Sequence, residues 1–230
     1  KVTQIEDYDP RTEAWYRDPI KAGRPIWTGI NQWADNPDIL SISAGYPLYD
    51  TKTFIGVLAV DLRLSQISDF LRQLQVSPSA KTFIIERNGL LVASSSTEHP
   101  FTMVNGKALR LKAVDSKDAL IRGTARYLTE HVTNLKKIKT SQILNFSLNG
   151  QRQFAQVTRW QDKHGLDWLI VVAVPESDFM AQINANTRTT ILLCLLALGL
   201  ASIVGIFTSR WIAQPILRLS EASIAIASGN

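Results

Sequence analysis

The sequence predicts an α+β protein with two related modules, each combining an antiparallel sheet with helices, followed by one C-terminal transmembrane helix. Three observations support this fold class. Apolar runs alternate with clusters of turn residues, the same order of three strands and a helix occurs twice, and residues 189–209 carry no charge. With 45% hydrophobic and 20% charged residues, the 230-residue chain has the composition of a folded protein.

Three apolar runs separated by turn residues predict strands in the first third of the chain, at residues 26–33, 39–48 and 54–62. A helix is predicted next, because apolar side chains recur at spacings of three and four over residues 64–74. Ser77 and Pro78 end this helix. We therefore place the first module at residues 1–78.

A second module is predicted over residues 79–188. Asn88 and Gly89 tolerate positive φ angles, so they predict a hairpin between strands at 81–87 and 90–95. The other predicted elements are a helix at about 115–131, strands at 142–148, 151–160 and 167–174, and a helix from about Glu176.

Residues 54–61 match residues 169–175 in position and character, which indicates that the two modules are related. The modules differ at this strand end, where the first has Asp61 and the second has Pro175. A polar pocket is therefore better supported in the first module. One large sheet that spans both modules stays open as an alternative architecture.

The uncharged segment 189–209 predicts a transmembrane helix. At about 1.5 Å per residue it spans roughly 30 Å, the thickness of the hydrocarbon core of a bilayer. A buried helix of a soluble protein is disfavoured, because apolar residues cover all sides of the segment. Arg188 flanks one end and Arg210 and Arg218 follow the other, so the positive-inside rule does not fix the orientation.

Composition and motifs argue against nucleic-acid binding, metal binding and catalysis. The formal net charge is only +5, and the densest basic cluster, at residues 136–139, is too short for a nucleic-acid patch. Cys194 is the only cysteine and the three histidines are far apart, so we expect no metal site and no cofactor. Because no Gly-rich phosphate loop or Gly-x-Ser-x-Gly elbow occurs, we expect no enzyme.

Several segments resemble a known family. They are residues 9–16 (DPRTEAWY), 22–27 (AGRPIW), 56–61 (GVLAVD), 215–219 (PILRL) and 226–230 (IASGN). The first three resemble the double-Cache family, which comprises extracellular paired PAS-like sensory modules of bacterial receptors. The last two look like the first helix of a HAMP signalling relay, with Ile216, Leu219, Ser223 and Ile226 on a heptad-like seam. A plain juxtamembrane helix stays open there.

The resemblance implies a sensor in the inner membrane, with residues 1–188 extracytoplasmic and residues 210–230 cytoplasmic. Residues 1–78 would be the membrane-distal Cache module and residues 79–188 the membrane-proximal one. Since neither an initiator Met nor a signal segment precedes Lys1, we expect an N-terminally truncated piece of a longer receptor. Such receptors are usually homodimers. A histidine kinase of a two-component system, a nucleotide cyclase and a chemotaxis receptor are all compatible outputs.

The resemblance also gives five candidate ligand-binding residues. Family members that sense amino acids have a Tyr, four residues, an Arg, one residue, then Trp-Tyr, and a distant Asp. The matching positions here are Tyr8, Glu13, Trp15, Tyr16 and Asp61. Four keep the residue type of the family, whereas Glu13 replaces the arginine that pairs with a ligand carboxylate.

Glu13 reverses the chemistry expected of the pocket. Arginine offers donors to a carboxylate, whereas glutamate offers only acceptors and a negative charge. With Asp61 available to an amine and π faces from Tyr8, Trp15 and Tyr16, the pocket suits a cation. We therefore expect a small ligand of amine type in the distal module, and a signal that passes through the transmembrane helix.

Each candidate also has a purely structural explanation. Trp15 and Tyr16 can be core aromatics, and Asp61 can satisfy backbone groups. Glu13 can face water or pair with a neighbouring arginine. The alternative function is a membrane-anchored interaction or adhesion module, in which no cavity would lie around Trp15 and Asp61. A hydrolase with Glu13 and Asp61 as paired carboxylates is a third class, which lacks an accompanying nucleophile or metal set.

Overall fold

In the part of the chain that the structure describes, the strands form two antiparallel sheets and a separate hairpin. The computed structural model describes residues 8–131 and 135–227, apart from the side chains at 181–186, 188, 212–214 and 216–227. The strands are β1 (Ile26–Trp27), β2 (Asn31–Gln32), β3 (Leu40–Asp50), β4 (Thr53–Arg63), β5 (Lys81–Glu86), β6 (Leu91–Ser94), β7 (Phe101–Val104), β8 (Lys107–Arg110), β9 (Gln142–Leu148), β10 (Gln151–Gln161) and β11 (Asp167–Pro175).

The first sheet is built around β3. Its partners are β1 and β2 along one edge and β4 along the other. The second sheet has the order β6-β5-β11-β10-β9, and β7 pairs only with β8 among the described residues. The predicted α+β class with antiparallel sheets is therefore confirmed, and the alternative of one large sheet is wrong.

Four α-helices accompany the strands in the described part of the chain. They are α1 (Ala14–Ala22), α2 (Leu64–Gln73), α3 (Ala119–His131) and α4 (Glu176–Ala227). Helix α2 begins and ends close to the predicted bounds, because its apolar positions recur at helical spacing and bury Leu64 and Leu71.

The predicted strand at residues 26–33 is interrupted, so it forms β1 and β2 instead of one strand. The side chain of Thr28 takes the place of a ladder group at the interruption. Its hydroxyl accepts from the Ser43 N–H at 3.3 Å, while the Thr28 N–H donates to the Ser43 carbonyl at 2.9 Å. Because the Ser43 N–H bonds to a side chain and not to a backbone carbonyl, the regular hydrogen-bond ladder with β3 is interrupted at Thr28.

A continuous apolar core joins the two sheets. Leu40, Ile42, Leu64 and Leu71 come from the first sheet and α2. They pack with residues of the second sheet and its last turn, which are Ile84, Val92, Ala93, Leu166 and Trp168. A second cluster fills the space between α3 and the other face of the second sheet. The two predicted modules therefore pack against each other, and the boundary at residue 78 stays a prediction.

Strands β4 and β11 match in sequence but differ in burial. Strand β11 lies between β5 and β10, and most of its residues are buried. Strand β4 pairs only with β3 among the described residues, and Ile55, Leu58 and Val60 are 60–65% exposed. An apolar run of this kind is typical of a strand with both faces covered, so the exposed face of β4 is unusual.

The chain divides into two compact units, residues 1–178 and residues 179–230. Within the second unit, Thr189–Trp211 is long and apolar enough to cross a membrane, with a mean hydropathy of 2.6. This candidate span coincides with the predicted transmembrane helix, and its apolar side chains are exposed. Apart from Arg210, Trp211 and Pro215, the HAMP prediction falls on residues whose side chains lie outside the described part, and residues 228–230 lie outside it altogether.

Candidate ligand-binding cavity

A cavity of about 320 Å³ lies in the first module, between the start of α1, β2 with the turn that follows it, the start of β3 and the end of β4. Four of the five predicted site residues line it: Tyr8, Glu13, Trp15 and Asp61. A space of this size suits a small organic molecule. The alternative function, an adhesion module, predicts that no cavity lies around Trp15 and Asp61. In the structure both residues line this cavity.

Tyr16 does not line the cavity. Its ring packs edge-to-face against Trp15, with the centroids 5.6 Å apart, and against Phe54 at 6.2 Å. Consecutive residues of a helix point about 100° apart, so Trp15 and Tyr16 do not face the same space. Tyr16 therefore supports the position of Trp15 from outside the cavity.

Asp61 is held by a neighbour on the adjacent strand. Ser43 and Asp61 are directly opposed in the β3–β4 ladder, and the Ser43 hydroxyl donates to Asp61 Oδ1 at 2.5 Å. Ser43 is buried, whereas Asp61 retains exposure because β4 is a sheet edge. The carboxylate therefore has one oxygen fixed by the protein and further acceptor capacity toward the cavity.

Glu13 lies at the junction between a short 3₁₀ turn, Pro10–Thr12, and α1. Its N–H donates to the Pro10 carbonyl, and its side chain makes no capping hydrogen bond. The neighbouring arginines have other partners. The Arg11 guanidinium bonds to Asp9 at 2.8 Å and holds the pKa of that carboxyl below its usual range, and Arg17 pairs with Asp18 at 3.4 Å.

One structural explanation for Glu13 is an ion pair with a neighbouring arginine. The structure does not contain this pair, because Arg11 and Arg17 pair with Asp9 and Asp18. Among the described residues, no ion pair involves Glu13. Glu13 lines the cavity, and no described Lys, Arg or His forms an ion pair with its carboxylate.

A third carboxylate, Asp35, lines the cavity, and the sequence did not single it out. It lies in the turn that follows β2, a segment interpreted only as a turn. Trp33 also lines the cavity, and its indole N–H donates to Ser41 Oγ at 2.8 Å. Asn31 is on the same wall.

The aromatic part of the wall comprises Tyr8, Trp15 and Trp33. The Trp15 indole N–H donates to the Tyr8 hydroxyl at 3.3 Å, which links the segment before the 3₁₀ turn to α1. Aromatic rings beside carboxylates are the side chains that proteins use to hold organic cations.

Gly45 on β3 allows α1 to approach the sheet closely enough to place Trp15. A Cβ at Gly45 would lie 2.3 Å from Pro19 Cγ and 3.0 Å from the Trp15 carbonyl oxygen. Pro19 has no N–H to donate to the carbonyl of Trp15 four residues earlier, so α1 turns this part of its backbone toward β3. The glycine thus fixes the distance between the helix and the sheet at the cavity.

The charge of the cavity is uniform in sign. Glu13, Asp35 and Asp61 line it, and none of the described lining residues is Lys, Arg or His. Three carboxylates lining one space disfavour an anionic guest and favour a cationic one through their charge. The remaining polar lining groups are amides and hydroxyls, which can orient a guest by hydrogen bonds.

Comparison with known proteins identifies the family. The Cache domain profile matches residues 3–183. The chain is 23% identical over 226 residues to the methyl-accepting chemotaxis protein McpB of Bacillus subtilis, covering 98% of this chain and 29% of McpB. It is 24% identical over 233 residues to McpC of the same organism, covering 100% of this chain and 30% of McpC. The chain therefore spans less than a third of these relatives.

Solved ligand-binding domains share the fold. The domain of the Pseudomonas aeruginosa chemoreceptor PctB, in complex with L-Arg, has a TM-score of 0.50 at 19% identity, covering 77% of this chain and 65% of that one. The domain of the Pseudomonas fluorescens chemoreceptor CtaA, in complex with L-serine, has a TM-score of 0.51 at 14% identity, covering 77% and 66%.

The Cache match ends before the candidate transmembrane helix, Thr189–Trp211. This order is that of an inner-membrane protein with an extracytoplasmic Cache segment. Because the family profile covers most of the sequence, the chain belongs to the Cache domain family.

Proposed function

We propose that the chain is the ligand-sensing part of a bacterial transmembrane receptor, and that it binds a small cation of amine type in the cavity of the first module. The observation that carries this proposal is the set of three carboxylates, Glu13, Asp35 and Asp61, on a wall without a described cationic side chain. An ammonium group gains charge-assisted hydrogen bonds from such a wall, and an anion would be repelled.

Two aspects of the site support an amine over a free amino acid. Glu13 stands where amino-acid sensors of the resembled family have an arginine, so the carboxylate of an amino acid would meet negative charge here. The amino acids named for the solved neighbours, L-Arg and L-serine, both carry that carboxylate. Tyr8, Trp15 and Trp33 add aromatic surface, which contributes about 0.5–2 kcal/mol to binding of an organic cation.

The proposed signal leaves the ectodomain through α4. Asp178 in the first turn of α4 accepts hydrogen bonds from the Ser77 hydroxyl at 2.5 Å and from the Ser79 N–H at 2.8 Å. Burial opposes the charged form, but these donors outweigh it and hold the pKa of Asp178 below its usual value. Since residues 77–79 join α2 to β5, the connection between the two modules is fastened to the start of α4.

The signalling output of the receptor is also part of this proposal. A ligand changes the output only if it binds two conformations of the receptor with different affinity. We expect a homodimer and a cytoplasmic HAMP relay after the transmembrane helix, with no catalysis by residues 1–230.

Isothermal titration calorimetry on the whole chain in lipid nanodiscs tests the ligand class. The panel is butylammonium, tetramethylammonium, L-alanine and butyrate. We expect saturable heat from at least one of the two cations and none from butyrate. The proposal is overturned if neither cation binds, whether or not L-alanine or butyrate binds in their place.

A further inference from the structure

Gln32 belongs to two sites at once. It lines the cavity, and its side-chain amide forms two hydrogen bonds to the β7–β8 hairpin of the second module. Nε2 donates to the Gly106 carbonyl at 2.9 Å, and Oε1 accepts from the Ala108 N–H at 3.0 Å. Among the described lining residues, Gln32 is the one whose side chain hydrogen-bonds to the second module.

The geometry of the hairpin explains why these groups are available. Asn105 and Gly106 form its two-residue turn, with φ angles of 51° and 74°. In an antiparallel pair, successive residues point their N–H and C=O groups alternately toward and away from the partner strand. Ala108 follows the turn-closing residue Lys107, so its N–H points away from β7 and toward Gln32. The Gln32 amide thus substitutes for the backbone of a third strand.

The hairpin is in turn fastened to the second sheet. Arg110, at the end of β8, donates to the Leu91 carbonyl at 2.9 Å and pairs with Glu86 at 3.1 Å. The Arg110 side chain is only 15% exposed, so water weakens this pair little. If Gln32 moves the hairpin, the Arg110 contacts therefore transmit this movement to Glu86 in β5 and Leu91 in β6.

Other hydrogen bonds between the modules involve residues that do not line the cavity. Two of them come from Trp27. The Trp27 indole donates to Asp162 at 2.6 Å, and the Trp27 N–H donates to the His164 carbonyl at 3.1 Å. None of these three residues lines the cavity. They fix the modules together whether or not a ligand is present, whereas Gln32 lies where a ligand can touch it.

We propose that Gln32 couples occupancy of the cavity to the β7–β8 hairpin, so that a bound ligand strengthens the attachment of the hairpin. This inference rests on the proposed function, because it needs a ligand in the cavity. A ligand that packs on the Gln32 amide restricts its rotation and favours the conformation that bonds Gly106 and Ala108. By linkage, strengthening the attachment raises ligand affinity by the same factor.

Hydrogen exchange at the Ala108 amide measures this coupling directly. The experiment uses the whole chain in lipid nanodiscs, with and without saturating butylammonium or tetramethylammonium, whichever binds more tightly by calorimetry. We expect the cation to slow exchange at Ala108 at least about fivefold in the unaltered protein, a change within the usual range of coupling between sites.

Two substitutions and a control make the test specific. Gln32→Met removes both hydrogen bonds, so Ala108 should exchange faster and no longer respond to the cation. Gln32→Glu keeps the acceptor for Ala108 and loses the donor to Gly106, and its response should be intermediate. Gln156→Met is the matched control, because Gln156 donates to Ser141 on the outside of the second module, and it should behave as the unaltered protein.

The outcomes separate the two proposals. If a cation binds but exchange at Ala108 does not change, or still changes fully in Gln32→Met, the coupling is overturned and the proposed function stands. If neither cation binds, the proposed function is overturned, and the coupling with it.

Discussion

The hydroxyl of Ser43 donates to the carboxylate of Asp61 at 2.5 Å, across a directly opposed pair of the β3–β4 ladder. The sheet thus orients the acidic group before any ligand arrives. A preoriented carboxylate loses less side-chain entropy on binding than a free one, so we expect Asp61 to be the strongest anchor for the proposed ammonium group.

Asp61→Asn should weaken binding of the cation at least about tenfold, equivalent to about 1.4 kcal/mol. The asparagine carbonyl can still accept from Ser43, so the shape is kept and only the charge is lost. Asp18→Asn is the matched control, because Asp18 is an acid on α1 that does not line the cavity. Calorimetry checks both variants. Equal affinity of Asp61→Asn and the control would contradict the assigned role.

Glu13→Arg should exchange the ligand class. The guanidinium would repel an ammonium group and offer a fork of donors to a carboxylate, so we expect loss of cation binding and a gain of affinity for L-alanine. Glu13→Gln, which removes the charge without reversing it, should weaken cation binding and gain nothing. If Glu13→Arg binds the cation as tightly as the unaltered protein, Glu13 does not face the ligand.

Gly45→Ala should destabilise the first module by about 1–3 kcal/mol, because the added methyl group overlaps Pro19. The same displacement moves Trp15, so cation affinity should fall as well. Gly29→Ala is the control, since a Cβ at Gly29 meets no atom within 4 Å. Thermal unfolding and calorimetry check the pair. A Gly45→Ala variant with unchanged stability would mean that α1 does not depend on this close approach.

Trp27→Phe should lower stability at neutral pH by about 1–2 kcal/mol, because Asp162 loses the indole donor at 2.6 Å. Burial disfavours the charged Asp162, but the Leu166 N–H, the Trp27 indole and the His164 N–H outweigh it and hold the pKa of Asp162 below its usual value.

A lowered folded-state pKa fixes the sign of the pH dependence. The contribution of Asp162 is complete above the unfolded pKa of about 3.9 and is lost as the pH falls through the folded pKa. The difference in stability between the unaltered protein and Trp27→Phe should therefore shrink below about pH 4. Chemical denaturation from pH 7 to pH 2.5 measures it, and a constant difference over that range would contradict this assignment.

Most of the regular structure follows from local patterns in the sequence. Strands β9, β10 and β11 lie close to their predicted positions, because apolar runs and the Asn149-Gly150 turn mark their ends. The β7–β8 hairpin was missed although Asn105-Gly106 is the same turn signal. Its flanking strands are short and mostly exposed, so they lack the apolar alternation that identified the others.

The site was predictable only in part. Tyr8, Glu13, Trp15 and Asp61 came from a resemblance, and the helical spacing of Trp15 and Tyr16 already argues that only one of the two faces the cavity. No local sequence pattern marks Asp35 and Gln32 as site residues, because they reach the cavity only through the packing of β2 and the turn after it against β3. Ser43 could have been found by pairing β3 with β4 across their turn, which opposes it to Asp61.

Paired titrations with butylammonium and butan-1-ol isolate the effect of ligand charge, since the two molecules have nearly the same shape and only one is charged. We expect saturable binding of butylammonium to the chain in nanodiscs and at least about tenfold weaker binding of the alcohol. Equal affinities, or binding of the alcohol alone, would show that the three carboxylates do not select the ligand.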